Sequence, residues 1–312
     1  MRALLVSLVV LVLTASLAEA QNRRFVARGG SGDVCSYAAP CADIFAAAVS
    51  GAGGGTIKML SEGEFSNLLT GNPWSLEGAG PGSNLNGFTW YGSAKHVFAK
   101  NLSFSISSSV NFTASGSLTM EQVEISSRTG SAPTSGLSFA PTGPTSLTLR
   151  NIAFTNASAG TGAAIHIVTG GHNINVTLDN VRISGGIRGI VIDTSGGGWA
   201  KVNIENSSFT NITGPAIYGI GSGSGNVRLY LDNVSATNSN VGVVMAGANA
   251  LAWMTQSKIA GNATGIQQAA GAKIYSYKDN QIFNNSTDGT PLPASPTPVQ
   301  SMPGNEIASV LR

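Results

Sequence analysis

From about residue 100 onward the chain alternates apolar and polar positions with a period of two, and the alternation breaks at regular intervals on a single amide. LTLRNIAFTNAS begins at Leu147, VTLDNVRISGG at Val176, VNIENSSFTNIT at Val202 and LYLDNVSATNSN at Leu229. Taking the amide as an anchor aligns Asn101, Gln122, Asn151, Asn180, Asn206, Asn233, Gln256 and Asp279, with separations of 21 to 29 residues. Apolar residues stand two and four positions before each anchor and again three after it, as in Leu147, Leu149 and Phe154. Helical spacing does not fit, whereas two short strands meeting at a corner do. A second line recurs upstream of each anchor: GLSF from Gly136, AIHI from Ala164, GIVI from Gly189, AIYG from Ala216, GVVM from Gly242 and GIQQ from Gly265.

A unit of this size cannot bury its apolar face alone, but stacked copies can. The expected fold is therefore all-β: a right-handed parallel β-helix, a solenoid whose coils lie about 4.8 Å apart. Within it, Asn151, Asn180, Asn206 and Asn233 are expected to form a ladder, each amide bonding to the next coil and satisfying backbone groups that the corner leaves unpaired. A second corner column is expected at Asn156, Asn211, Asn238, Asn262 and Asn284. The segment DIFAAAV from Asp43 reads as a short capping helix over the N-terminal edge, where strand ends need protection.

Four segments follow. Residues 1–20 combine a basic start, an apolar run and Ala18-Glu19-Ala20, the pattern of a cleaved signal peptide, with a retained anchor as the alternative. Residues 21–55 form the N-terminal cap and 56–289 the β-helix. Residues 290–312 are Pro-rich and expected to be flexible. The protein is thus expected to be secreted or periplasmic, with no transmembrane segment once the signal is removed. Cys35 and Cys41, in CSYAAPC, are expected to pair in that oxidising setting, with a free buried pair as the alternative.

The opening CSYAAPCADIFAAAV, the stacked VNIENSSFTNITGPAI-type coils and the closing KIYSYKDNQIFNNSTDG resemble bacterial right-handed parallel β-helix repeat proteins. That resemblance covers most of the chain and implies a secreted solenoid. It departs at Lys278–Asp279, where the family tends to carry Gly–Asn, and between Met59 and Val110.

Charged residues make up only 10% of the chain and the net charge is +2, which excludes the basic surface of a nucleic-acid binder. No metal or cofactor motif is present, so none is expected. Three sets of outward side chains carry candidate chemistry. Asp179, Glu205 and Asp232 fall in one column just before the anchors, where adjacent like charges repel by about 1–3 kcal/mol per pair. An ion-pair network, a cation site or a catalytic acid pair would each offset that. His166, Asp193 and Tyr218 come from the GIVI-type strands and offer acid–base groups. Tyr230 and Trp253 are expected side by side with Asp232 and Arg228, an arrangement suited to sugar stacking unless the loop GIGSGSG covers them. The expected function is an exported scaffold presenting a surface to a polysaccharide or cell-surface glycan. A polysaccharide lyase or glycoside hydrolase is the alternative, and a purely structural or adhesive surface protein the third. With no convergent carboxylate groove, the pattern leans away from catalysis.

Overall fold

The computed structural model describes residues 23–50, 53–66, 68–92, 96–127, 134–289 and 292–294. The signal segment and most of the Pro-rich tail lie outside these residues. The chain winds as a parallel β-solenoid. Ten short strands, from Leu68–Thr70 to Thr287–Gly289, stack into one sheet, and seventeen strands form a second, longer sheet that runs through the corners. Among the described residues every pairing between strands is parallel, with one isolated antiparallel bridge between Ser135 and Ser158, and register steps from coil to coil by the sequence separations of the repeat: Leu118 pairs with Leu147, Leu147 with Val176, Val176 with Val202, and Val202 with Leu229.

Alternation decides which side chains enter the core. Leu118, Met120, Leu147, Leu149, Val176, Leu178, Val202, Ile204, Leu229 and Leu231 are buried, with their polar neighbours outside. Near the N-terminal end the core is aromatic: Trp90 packs between Phe88 at 4.2 Å and Phe112 at 6.4 Å, and Phe139 stacks on Phe112 at 5.2 Å. The indole of Trp90 donates to the Trp74 carbonyl at 2.7 Å, so its buried N–H is satisfied.

The anchors share a backbone conformation that only a few residue types tolerate. Asn101, Gln122, Asn151, Asn180, Asn206, Asn233 and Gln256 have φ between 49° and 54°. Asn enters the left-handed region at lower cost than other side chains, and this selects the amide at each corner. The amides do bond along the stack, Asn180 to Asn151 at 2.7 Å and Asn233 to Asn206 at 2.9 Å, but the ladder is interrupted where Asn206 donates to Asp179 at 3.0 Å.

These side chains pair with one another on the outside. The backbone groups are satisfied from the inside, by residues the sequence pattern did not single out. The amides of Val181 and Val234 donate to the hydroxyls of Ser207 at 3.0 Å and Ser257 at 3.1 Å, and the Ser257 amide donates to Asn280 at 2.8 Å. A parallel interior column serves the next corner: Ile212 donates to Ser239, Ser239 to Asn262 and Asn262 to Asn285.

Two expected corner positions are corrected. Asn262 is buried and belongs to that interior column, and the corner beside it is Gly261, at φ 70°. In the last coil Lys278, not Asp279, takes the left-handed conformation, at φ 69°. Before that corner the register steps by 22 residues, Trp253 to Tyr275, and after it by 23, Ile259 to Ile282. One extra residue is inserted at the turn, and Asp279 reaches back to accept from the Thr255 hydroxyl at 2.5 Å.

At the N-terminal end Cys35 and Cys41 form a disulfide. The helix Ile44–Ser50 follows, capped by Asp43, which accepts from the Ala46 amide at 2.7 Å. Ile44 and Ala47 are buried in the common core. At the other end Ser276 bridges to Ala294 and donates its amide to the Pro293 carbonyl at 3.0 Å, and Leu292 packs against the core. Among the described residues no helix is long and apolar enough to cross a membrane.

Candidate functional site

Three outward columns cross the long sheet just before the Asn corner, two residues apart along each strand. In successive coils the first holds Asn175, Lys201, Arg228, Leu251 and Lys273, and the second Thr177, Asn203, Tyr230, Trp253 and Tyr275. The third holds Asp179, Glu205, Asp232 and Thr255. Register therefore places a basic strip, a central strip and an acidic strip side by side along the solenoid axis.

Tyr230 and Trp253 are neighbours, with ring centroids 4.9 Å apart and planes 10° from parallel. The stack continues to Tyr275, 5.9 Å from Trp253 at 25°. Counting three residues back from Asp279 puts Ser276 in this column, but the extra residue at the last corner shifts it by one and register puts Tyr275 there. Ser276 points inward instead and is buried.

The rings are half-buried. For near-parallel rings in contact at about 3.5 Å, a 4.9 Å centroid distance requires a slip of about 3.4 Å, the offset arrangement that aromatic pairs prefer. Each ring thus leaves part of a face uncovered by its neighbour. Arg228 lies beside Tyr230 on one flank and Asp232 on the other. The ammonium of Lys201 stands 5.0 Å from the centre of the Trp199 ring.

Two of the three acids bond to side-chain amides. Asp179 accepts from Asn206 at 3.0 Å, and Glu205 accepts a short hydrogen bond from Asn203 in the central strip. Further up the same column the charges alternate. Lys58 and Lys100 approach Glu77 at 3.4 and 3.6 Å, Glu121 pairs in register with Lys100 and Arg150, and Arg150 with Asp179. Among the described residues no group of three His, Cys, Asp or Glu side chains is placed to hold a metal ion.

The second sheet carries His166, Asp193 and Tyr218. His166 pairs in register with Val191, and Val191 with Tyr218, so the imidazole and phenol stand two coils apart, about 9.6 Å, with buried Val191 between them. Asp193 lies one coil from His166 and accepts the Ser195 amide at 2.8 Å, which ties its carboxylate to the turn. Burial holds the His166 imidazole below its ordinary pKa; the Asp193 carboxylate opposes that shift and Arg188 adds to it.

No protein-family model matches the chain, and no curated protein is significantly similar to it. Among solved structures it is similar to the Azotobacter vinelandii mannuronan C-5 epimerase AlgE4 A-module, at 14% identity and a TM-score of 0.42, over 86% of this chain and 98% of that one. The likeness is distant.

Proposed function

We propose that the protein is an exported, non-catalytic β-helix that binds glycan on the central strip at Tyr230, Trp253 and Tyr275. The observation that carries this reading is the slipped stack of three aromatic rings on a flat β-sheet face, flanked by Arg228 and Asp232. A half-covered ring offers its π face to the apolar CH face of a sugar, and charged neighbours bond the hydroxyls at the sugar's edge. The rigid sheet holds the rings in place before binding, so little side-chain entropy is lost on association. The disulfide and the N-terminal apolar segment support a location outside the cytoplasm.

The test is a glycan array probed with the wild-type protein and with Tyr230→Ala plus Trp253→Ala, each checked for native circular dichroism. Loss of signal in the folded double variant is expected, and unchanged binding would overturn the proposal. Bound glycans are then incubated with the protein and analysed for new reducing ends, unsaturation or changed stereochemistry. Any product would replace this reading with a catalytic one centred on Asp179, Glu205 and Asp232.

A further inference from the structure

The central strip does not begin at Tyr230, and this bears on what kind of glycan fits it; the inference rests on the glycan-binding reading above. From Tyr275, successive register partners are Trp253, Tyr230, Asn203, Thr177, Thr148, Thr119 and finally Phe98. Those seven steps, at about 4.8 Å each, make a straight track of about 34 Å. At its far end Phe98 is half-buried beneath Lys100, whose ammonium stands 5.6 Å from the ring centre. Phe98, Lys100, Thr119 and Glu121 border a shallow open depression there, about 230 Å³ in volume. Aromatic rings thus mark both ends of the track. Between them Thr119, Thr148, Thr177 and Asn203 present groups that both donate and accept hydrogen bonds.

Charge along the track is balanced. From Phe98 to Tyr275, Lys100, Arg150, Lys201, Arg228 and Lys273 are matched by Glu121, Asp179, Glu205 and Asp232, five cations to four acids. The balance is local as well as total. Successive coils alternate in sign from Lys100 to Asp179, and further on Lys201 and Glu205 stand on opposite sides of Asn203, as Arg228 and Asp232 do of Tyr230. A polyanion laid here would meet carboxylates over the same coils in which it met cations, and attraction would be offset by repulsion. A neutral chain uses both signs, because each charged group strengthens a hydrogen bond to a hydroxyl.

We propose that the track holds a linear, uncharged polysaccharide lying parallel to the solenoid axis, its sugar repeat following the coil repeat. Branches at each residue would collide with the flanking columns, so the chain is unbranched over the track.

The test measures affinity by calorimetry for linear neutral oligomers of glucose, mannose and N-acetylglucosamine, from disaccharide to octasaccharide, alongside uronate oligomers of the same lengths. Affinity for a neutral series is expected to rise at least about tenfold between trisaccharide and octasaccharide, as adjoining subsites act together. It is also expected to change less than about twofold between low and high salt. Phe98→Ala should make affinity level off at shorter oligomers, while Trp253→Ala weakens binding at every length. Preference for uronates with strong salt dependence would overturn the charge class. Equal affinity for trisaccharide and octasaccharide would overturn the track and leave a short aromatic site. Absence of binding in every series would overturn the glycan reading itself.

Discussion

Replacing Asn206 separates two explanations of the recurring amide. In one, the amide is present for its hydrogen bonds; in the other, for its tolerance of the left-handed backbone. Asn206 stands at φ 50°, donates to Asp179 at 3.0 Å and accepts from Asn233 at 2.9 Å, and its side chain is exposed. In Asn206→Ala both exposed bonds are lost, at about 0.5 kcal/mol each, and a β-carbon without a compensating amide occupies the left-handed region, at about 1–2 kcal/mol. The expected loss is therefore about 2–3 kcal/mol. In Asn206→Gly the same two bonds are lost and the strain vanishes, but the added backbone freedom of the unfolded chain costs about 0.5–1 kcal/mol, for a total of about 1.5–2 kcal/mol. Glycine should thus be the milder substitution although it removes more atoms. Urea denaturation followed by circular dichroism gives both values, provided the slope of free energy against denaturant stays that of wild type. A glycine variant as unstable as the alanine one, or more so, would refute the backbone argument and return the ladder to first place.

The remaining predictions concern buried and half-buried groups. Ser257→Ala leaves the Val234 amide without its interior acceptor and should cost about 1–3 kcal/mol, more than Ser235→Ala on the outer face of the adjacent strand; equal losses, read from urea midpoints, would mean that the interior column is dispensable. Because burial lowers the His166 pKa, the folded state binds fewer protons than the unfolded state in the window below the ordinary value of 6.5. Stability contributed by neutral His166 is therefore full above that value and falls as pH drops toward the folded pKa. Urea midpoints measured from mildly acidic to neutral pH should rise across this window, and His166→Gln should flatten the rise; an unaltered slope in that variant would show that another group causes it.

How far the sequence reveals this molecule depends on whether a structural requirement falls on one residue or on several. A left-handed corner is a requirement on one backbone position, so the amide recurs where the corner does, and Asn151, Asn180, Asn206 and Asn233 can be found by eye. Alternation is just as local, and it assigns Leu147 and Leu149 to the core and Thr148 and Arg150 to the outside. The columns of the candidate site inherit this legibility, because once register is known the neighbours of Tyr230 follow by addition.

The interior network is different in kind. Ser207, Ser257 and Asn280 look like surface residues in the sequence, and only closure of the coil turns them toward backbone amides of the coil before. Asn262 shows the same ambiguity one residue from a corner, where Gly261 takes the left-handed conformation and leaves the amide free to point inward. Tyr275 was hidden by a single inserted residue, since a shift of one exchanges the two faces of a strand. The consequence for function is concrete. Counting back from Ile282 leads to Ser276, whereas pairing from Trp253 leads to Tyr275, and only the second count completes the aromatic stack. At the other end of the molecule no amide marks the corners before Asn101, so Lys58 and Glu77 could not be aligned with the later coils until backbone pairing placed them in the column of Lys100.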